Sequence, residues 1–199
     1  MAVHVLYVTD PACPWSWGAE PRLRRIEAEF GEDVRITYVM GGLWREVDAS
    51  VALRQVLDAS AESGMPADPR LWLDSPPTSS YPACLAVKAA AEQGLDGPYL
   101  RRLREALMCE RVKADNRDAF VSLARGVPGM NVDRFANDLG SNAIVEAFGA
   151  DLERARALGT EMPGFVVEGD APRQPPPSVE EALRRWPRMA VPEVAAACD

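Results

Sequence analysis

Hydrophobic and polar positions change period three times along this chain. Val3 to Val8 is a short apolar, β-prone run. From Trp15 to Phe30, Leu23, Ile26, Ala28 and Phe30 recur among charged residues, a helical spacing that Gly31 closes. Val34, Ile36, Tyr38 and Met40 then alternate as a second strand, ended by Gly41-Gly42. The first forty or so residues therefore predict a β-α-β unit.

Beyond it the pattern is helical for more than a hundred residues. Val51–Ser63 is followed by a loop over 64–79 rich in proline, aspartate and serine. Ser79 or Ser80 caps a helix running to about Gln93, and Tyr99–Cys109 carries an amphipathic stripe of Leu100, Leu103 and Leu107. Asn116–Arg125, Asn131–Leu139 and Asn142–Leu158 predict three more helices. Strand character returns at Met162–Gly169, and Ser178–Trp186 is a last helix with Ser178 as cap and Glu181 at N3. Between them Asp170–Pro177 is a proline-rich connector where a strand could stand, and the alanine-rich tail 188–199 is either helical or frayed. The expected division is an α/β domain over 1–46 and 159–187, an inserted helical domain over 47–158, and the tail.

Composition narrows what such a chain can do. Its 199 residues, 47% hydrophobic and 26% charged, suit a globular protein that buries a core. A net charge of −8 argues against nucleic-acid binding. The arginine clusters at 22, 24 and 25 and at 101, 102 and 104 read as solvated helix faces beside Glu27 and Glu105, with anion binding as the other reading. No apolar run is long enough to span a membrane and the N-terminus does not read as a signal peptide, so the expected location is the cytoplasm. There Cys13, Cys84, Cys109 and Cys198 are expected as thiols. With one histidine, His4, and no clustered cysteines, no metal site is expected.

The candidate chemistry sits where the first strand gives way to the first helix, in Asp10-Pro11-Ala12-Cys13-Pro14-Trp15-Ser16-Trp17. An ordinary thiol is only about 3% thiolate at pH 7, and a shift of about two units, roughly 2.7 kcal/mol, would make it mostly thiolate. A helix N-terminus supplies about 0.3–1 kcal/mol, rising to about 2 when partly buried, so hydrogen bonds must supply the remainder. Ser16, one helical turn on, is placed to donate to Cys13 but cannot close a disulfide with it. One nucleophile of a C-x-x-C spacing is present, and serine holds the place of the second.

These elements resemble the DsbA-like branch of the thioredoxin superfamily over about residues 3–186. The octapeptide matches the D-P-x-C-P-x-C/S-W pattern, and Met162-Pro163 before a strand matches the proline, cis in that fold, that faces the thiol. Trp72-Leu73 and Ser79-Ser80-Tyr81-Pro82-Ala83 leading into Ala86-Val87-Lys88-Ala89-Ala90 look like the subgroup related to a ClpXP adaptor. The resemblance implies a thioredoxin-like α/β fold with a large helical insertion between β-α-β and β-β-α halves. It also implies Cys13 and Ser16 as catalytic residues and Pro14, Trp15, Met162 and Pro163 as substrate-binding ones, with Trp17 either flanking the thiol or packing in the core. The chain departs from the pattern at Ser16, in the connector that stands for a second hairpin strand, and in lacking the adaptor's histidine- and cysteine-rich N-terminal extension.

The expected function is thiol-disulfide exchange or thiol transfer by a single cysteine. No tightly bound cofactor is expected, and glutathione or mycothiol would serve as co-substrate. Cys84 and Cys109, in apolar helical stretches, are expected in the core rather than as resolving thiols, and Cys198 as a tail thiol. Substrates would be protein or small-molecule disulfides, with a protein partner on the helical domain and neither nucleic acid nor membrane. Two other readings are a non-catalytic adaptor for regulated proteolysis and an enzyme like the kappa-type glutathione transferases and related isomerases.

Overall fold

The structure is a computed structural model that describes residues 2–199. Strand β1 (Val3–Thr9) lies at the centre of a three-stranded sheet. It pairs in parallel with β2 (Val34–Met40) and antiparallel with β3 (Gly164–Glu168). β1 is buried along nearly its whole length, which is why it carries a continuous apolar run rather than an alternating one. This is the expected thioredoxin-like arrangement of a mixed sheet with a helical insertion.

Between β1 and β2, the single helical stretch expected to run to Phe30 is two helices, α1 (Pro14–Gly18) and α2 (Glu20–Phe30). Pro21 has no N–H to donate to the carbonyl of Trp17, so the first helix ends and the second begins around Ala19. The helical block comprises α3 (Ala49–Ser63), α4 (Arg70–Asp74), α5 (Tyr81–Ala91), α6 (Asp96–Met108), α7 (Arg117–Ala124), α8 (Val132–Asp138) and α9 (Asn142–Leu158). Trp72, Tyr99, Leu103, Leu107 and Phe135 are buried at its centre. That core is continuous with Ala12, Trp17 and Met40 of the α/β part. The helices thus pack directly against the segment that carries Cys13.

The expected second strand of the last half is absent: after β3 the chain runs as a connector to α10 (Val179–Arg185). Pro172, Pro175, Pro176 and Pro177 remove the donors a ladder needs. The connector is tied down instead by Gln174 N–H donating to Glu29 O at 2.6 Å and by Ala171, buried against Val3 and Val5. Ser178 and Glu181 form the expected capping box of α10. The tail is a helix, α11 (Val191–Cys198), laid along α2.

Candidate active site around Cys13

Cys13 is the N-cap of α1, with Pro14 in the first turn. Its extended backbone (φ −74°, ψ 115°) turns Sγ toward the helix, where the Ser16 N–H donates to it at 3.3 Å. Trp17 N–H bonds the Cys13 carbonyl at 3.1 Å, and the Tyr7 hydroxyl donates to Ser16 O at 3.2 Å, holding the turn from the sheet side. Ser16 is fully buried and its Oγ has no hydrogen-bond partner.

The thiol is not tuned in the expected direction. Cys13 is only 1% exposed, and burial pushes its pKa up. The Ser16 N–H and the Arg104 charge pull it down, the Asp10 charge pushes it up, and the net shift is upward. A one-turn helix contributes too little to outweigh desolvation.

Trp15, Met162 and Pro163 do come together, on a groove of about 610 Å³ beside α1. The Met162–Pro163 peptide bond is cis. A Cβ at Gly41 would run into Met162 Cε, so a glycine at the end of β2 leaves room for that side chain over the carboxyl ends of the strands. Cys13, Pro14 and Ser16 are buried and do not line the groove. Pro14 shapes the turn and offers no surface to a substrate. Arg22, Glu62, Ser63 and Pro192 complete the wall. None was expected, because α2, α3 and α11 each supply part of it and no local motif links them.

Asp10, known from the sequence only as part of the octapeptide, is the hub that holds this loop. Its carboxyl accepts from Ala12 N–H at 2.8 Å, Leu43 N–H at 2.7 Å, Ser80 Oγ at 2.7 Å and Cys84 Sγ at 3.3 Å. This explains why Ser80 precedes α5 without capping it: its hydroxyl is directed to Asp10 and also accepts from Trp44 N–H at 3.0 Å. Burial raises the pKa of Cys84, so it is a thiol donor to Asp10 here. Cys109 donates to Pro66 O at 3.3 Å, and the half-buried Cys198 ends α11. Trp17 takes the core role, 3% exposed, with its indole N–H on Pro66 O at 2.8 Å. His4 Nε2 lies 2.8 Å from Thr37 Oγ1, a link between the two parallel strands.

The arginine clusters divide: Arg22 and Arg25 are exposed, as a solvated face requires, whereas Arg24 and Arg104 are buried. Arg104 is fully buried, bonded to Glu20 and Thr9 Oγ1, and Arg24 is 7% exposed. Arg101 reaches Glu20 at 3.0 Å and Glu193 of α11 at 2.7 Å. The periodic pattern of α6 places Arg104 on the apolar side of the helix, where Glu20 neutralises it.

The thioredoxin family model matches residues 6–181. The ClpXP adapter protein SpxH of Halalkalibacterium halodurans is 30% identical over 96% of this chain and 76% of its own length. SpxH of Shouchella clausii is 29% identical over 81% of this chain, which spans only 56% of that protein. Among solved structures, the cytosolic disulfide reductase DsbM from Pseudomonas aeruginosa superposes with a TM-score of 0.71 at 25% identity, covering 86% of this chain and 87% of that one. DsbM has also been solved with GSH, where the TM-score is 0.68 with 81% and 84% covered. Oxidoreductase DsbA from Xylella fastidiosa shares the fold at a TM-score of 0.56 and 19% identity, over 86% and 74%.

Proposed function

Because the chain belongs to the thioredoxin family, within the DsbA-like group that includes the SpxH proteins, we propose that it is a monothiol disulfide reductase acting through Cys13. The observation that carries the reading is Cys13 Sγ at the N-cap of α1, receiving the Ser16 N–H, with a serine hydroxyl where a resolving thiol would stand. The likeness to DsbM, a cytosolic disulfide reductase also solved with GSH, favours a low-molecular-weight thiol as the second reactant.

The Cys13 thiolate attacks the glutathione sulfur of a mixed disulfide. A Cys13–glutathione disulfide forms, the substrate S–S bond breaks, and the substrate leaves as a thiolate that takes up a proton. With no second cysteine in the motif, a glutathione or mycothiol thiolate then attacks the glutathione sulfur of that adduct. Oxidised low-molecular-weight disulfide is released and Cys13 returns to the thiolate. Each cycle reduces one mixed disulfide and consumes one equivalent of free small thiol, the other half of the released disulfide coming from the substrate. Such a cycle suits a reducing compartment such as the cytoplasm. Ser16 Oγ, buried and unpartnered, is the donor available to Sγ while it carries charge. The groove of Trp15, Met162 and Pro163 is the surface on which the substrate backbone lies. Because Cys13 is covered, attack requires a local opening of that wall.

Turnover of a glutathionylated peptide with excess glutathione, and separately with mycothiol, tests the reading. Wild type should turn over and should accumulate a Cys13 adduct, visible by mass spectrometry, when the second thiol is withheld. Cys13→Ser should fall to the uncatalysed rate and Cys84→Ala should not. Unchanged turnover in Cys13→Ser would overturn the proposal.

The 30% identity to SpxH favours a second reading, in which the fold presents a protein partner for proteolysis. That activity should survive Cys13→Ser in a pull-down, which separates the two readings.

A further inference from the structure

A second cavity, of about 540 Å³, lies among α2, α6 and the turn after α10 and shares no lining residue with the groove beside Cys13. Its size is that of a small-molecule site. Leu23, Tyr38, Pro98, Leu100 and Trp186 give it an apolar body. Five guanidinium groups reach its wall, from Arg24, Arg101, Arg104, Arg185 and Arg188, against the carboxylates of Glu20, Glu27 and Glu105. In a chain of net charge −8, this lining is positive.

Most of these charges already have partners. Arg24 and Arg101 bind Glu20 and Glu193, and Arg188 binds Glu105 and Glu110. Two donors remain. Arg104 is fully buried, with one terminal nitrogen on Glu20 and the other on Thr9, and its Nε has no hydrogen-bond partner. Arg185 has no ion-pair partner among the described residues, and its guanidinium lies over the Trp186 ring, 4.6 Å from the centroid. The Arg104 Nε is closed off by its surroundings, whereas the exposed Arg185 guanidinium is free to meet an anionic oxygen in charge-assisted hydrogen bonds.

We propose that this cavity is a binding site for a small monocarboxylate with an apolar body, its head on the free guanidinium of Arg185 and its body against Leu23, Leu100 and Trp186. A phosphate dianion would call for more free donors than this one guanidinium offers, and the apolar wall would contribute nothing to holding it. The site shares no lining residue with the groove beside Cys13, and binding there does not require the thiol.

Isothermal titration of the full-length protein with octanoate, and with octanamide as its uncharged counterpart, tests the assignment. Octanoate should bind saturably and about tenfold or more tightly than octanamide, the worth of one charge-assisted hydrogen bond. Arg185→Gln, on an exposed side chain that leaves the fold intact, should weaken octanoate several-fold and leave octanamide unchanged. Cys13→Ala should change neither. No saturable binding, equal binding of acid and amide, indifference to Arg185→Gln, or loss of binding in Cys13→Ala would each overturn the proposal.

Discussion

Asp10 and Glu20 stand on either side of Cys13 in the sequence, both buried, and their surroundings push them in opposite directions. Asp10 meets only neutral donors: two backbone N–H groups, a serine hydroxyl and a thiol. Burial dominates there and holds its pKa above the ordinary carboxylate value of 3.8, although each of those donors pulls it down. Glu20 is buried as deeply and burial pushes it up too, but Arg104, Arg24 and Arg101 outweigh that and bring it below 4.5. Burial alone therefore does not set the direction of the shift: three arginines outweigh it at Glu20, whereas Arg24 alone does not at Glu27. The two clusters hold the two sides of the nucleophile's loop by different physics. One is a hydrogen-bonded hub joining β1, the loop after β2 and α5, and the other is an ionic knot joining α2, α6 and α11.

Removing the ionic centre should cost most. Glu20→Gln leaves a fully buried guanidinium without its countercharge, and urea unfolding should show a loss of about 3–5 kcal/mol. Asp10→Asn keeps the shape and one acceptor oxygen but turns an amide N–H toward groups that donate. Its expected cost is smaller, about 1–3 kcal/mol. Equal losses in the two variants would erase the distinction drawn between them.

Titration sharpens the same contrast through the sign of its slope. A carboxyl whose folded pKa is lowered stabilises the fold above its unfolded pKa and loses that contribution as pH falls through the folded value. Glu20 is of this kind, so the stability gap between wild type and Glu20→Gln should widen as pH rises from about 3 to 6. A raised carboxyl behaves oppositely: its contribution is full below the unfolded pKa and is lost as pH rises through the folded one. The gap between wild type and Asp10→Asn should therefore narrow over the same interval. Unfolding midpoints at several pH values read both slopes, and parallel slopes would mean that the arginines around Glu20 do not neutralise it.

Legibility from sequence divides along the same line. β1, β2, α9 and the Ser178–Glu181 capping box are local: their periods and caps can be read from adjacent residues. The N-cap position of Cys13 was legible for the same reason, since a strand, a proline and a helix meet there. Tertiary partners were not. Arg104 looks like an exposed charge until α2 brings Glu20 beneath it, and Ser80 looks like a cap until Asp10 takes its hydroxyl. The upward shift of Cys13 was invisible too, because a helix start can be read from spacing whereas 1% exposure depends on everything that packs over it. Arg22, Glu62 and Pro192 reach the groove from three elements that no motif connects.

The smallest effect tests whether the two clusters reach the nucleophile. Burial holds the Cys13 thiol above its ordinary pKa, with Asp10 adding to the rise and Arg104 opposing it. The pH dependence of alkylation, followed by peptide mass spectrometry, should give Cys13 a midpoint above the ordinary thiol value of about 8.5. Asp10→Asn removes the negative charge that disfavours the thiolate, so the Cys13 midpoint should move down toward the ordinary range. A Cys13 midpoint already below the ordinary thiol value in the wild-type protein would mean that the helix N-terminus and Ser16 outweigh desolvation in solution, and that the buried thiol spends its reactive time in a more open arrangement. A fall in the midpoint of Cys109, which burial also raises, together with that of Cys13 would instead report a loosened fold, and the hub around Asp10 would then act through stability rather than through charge.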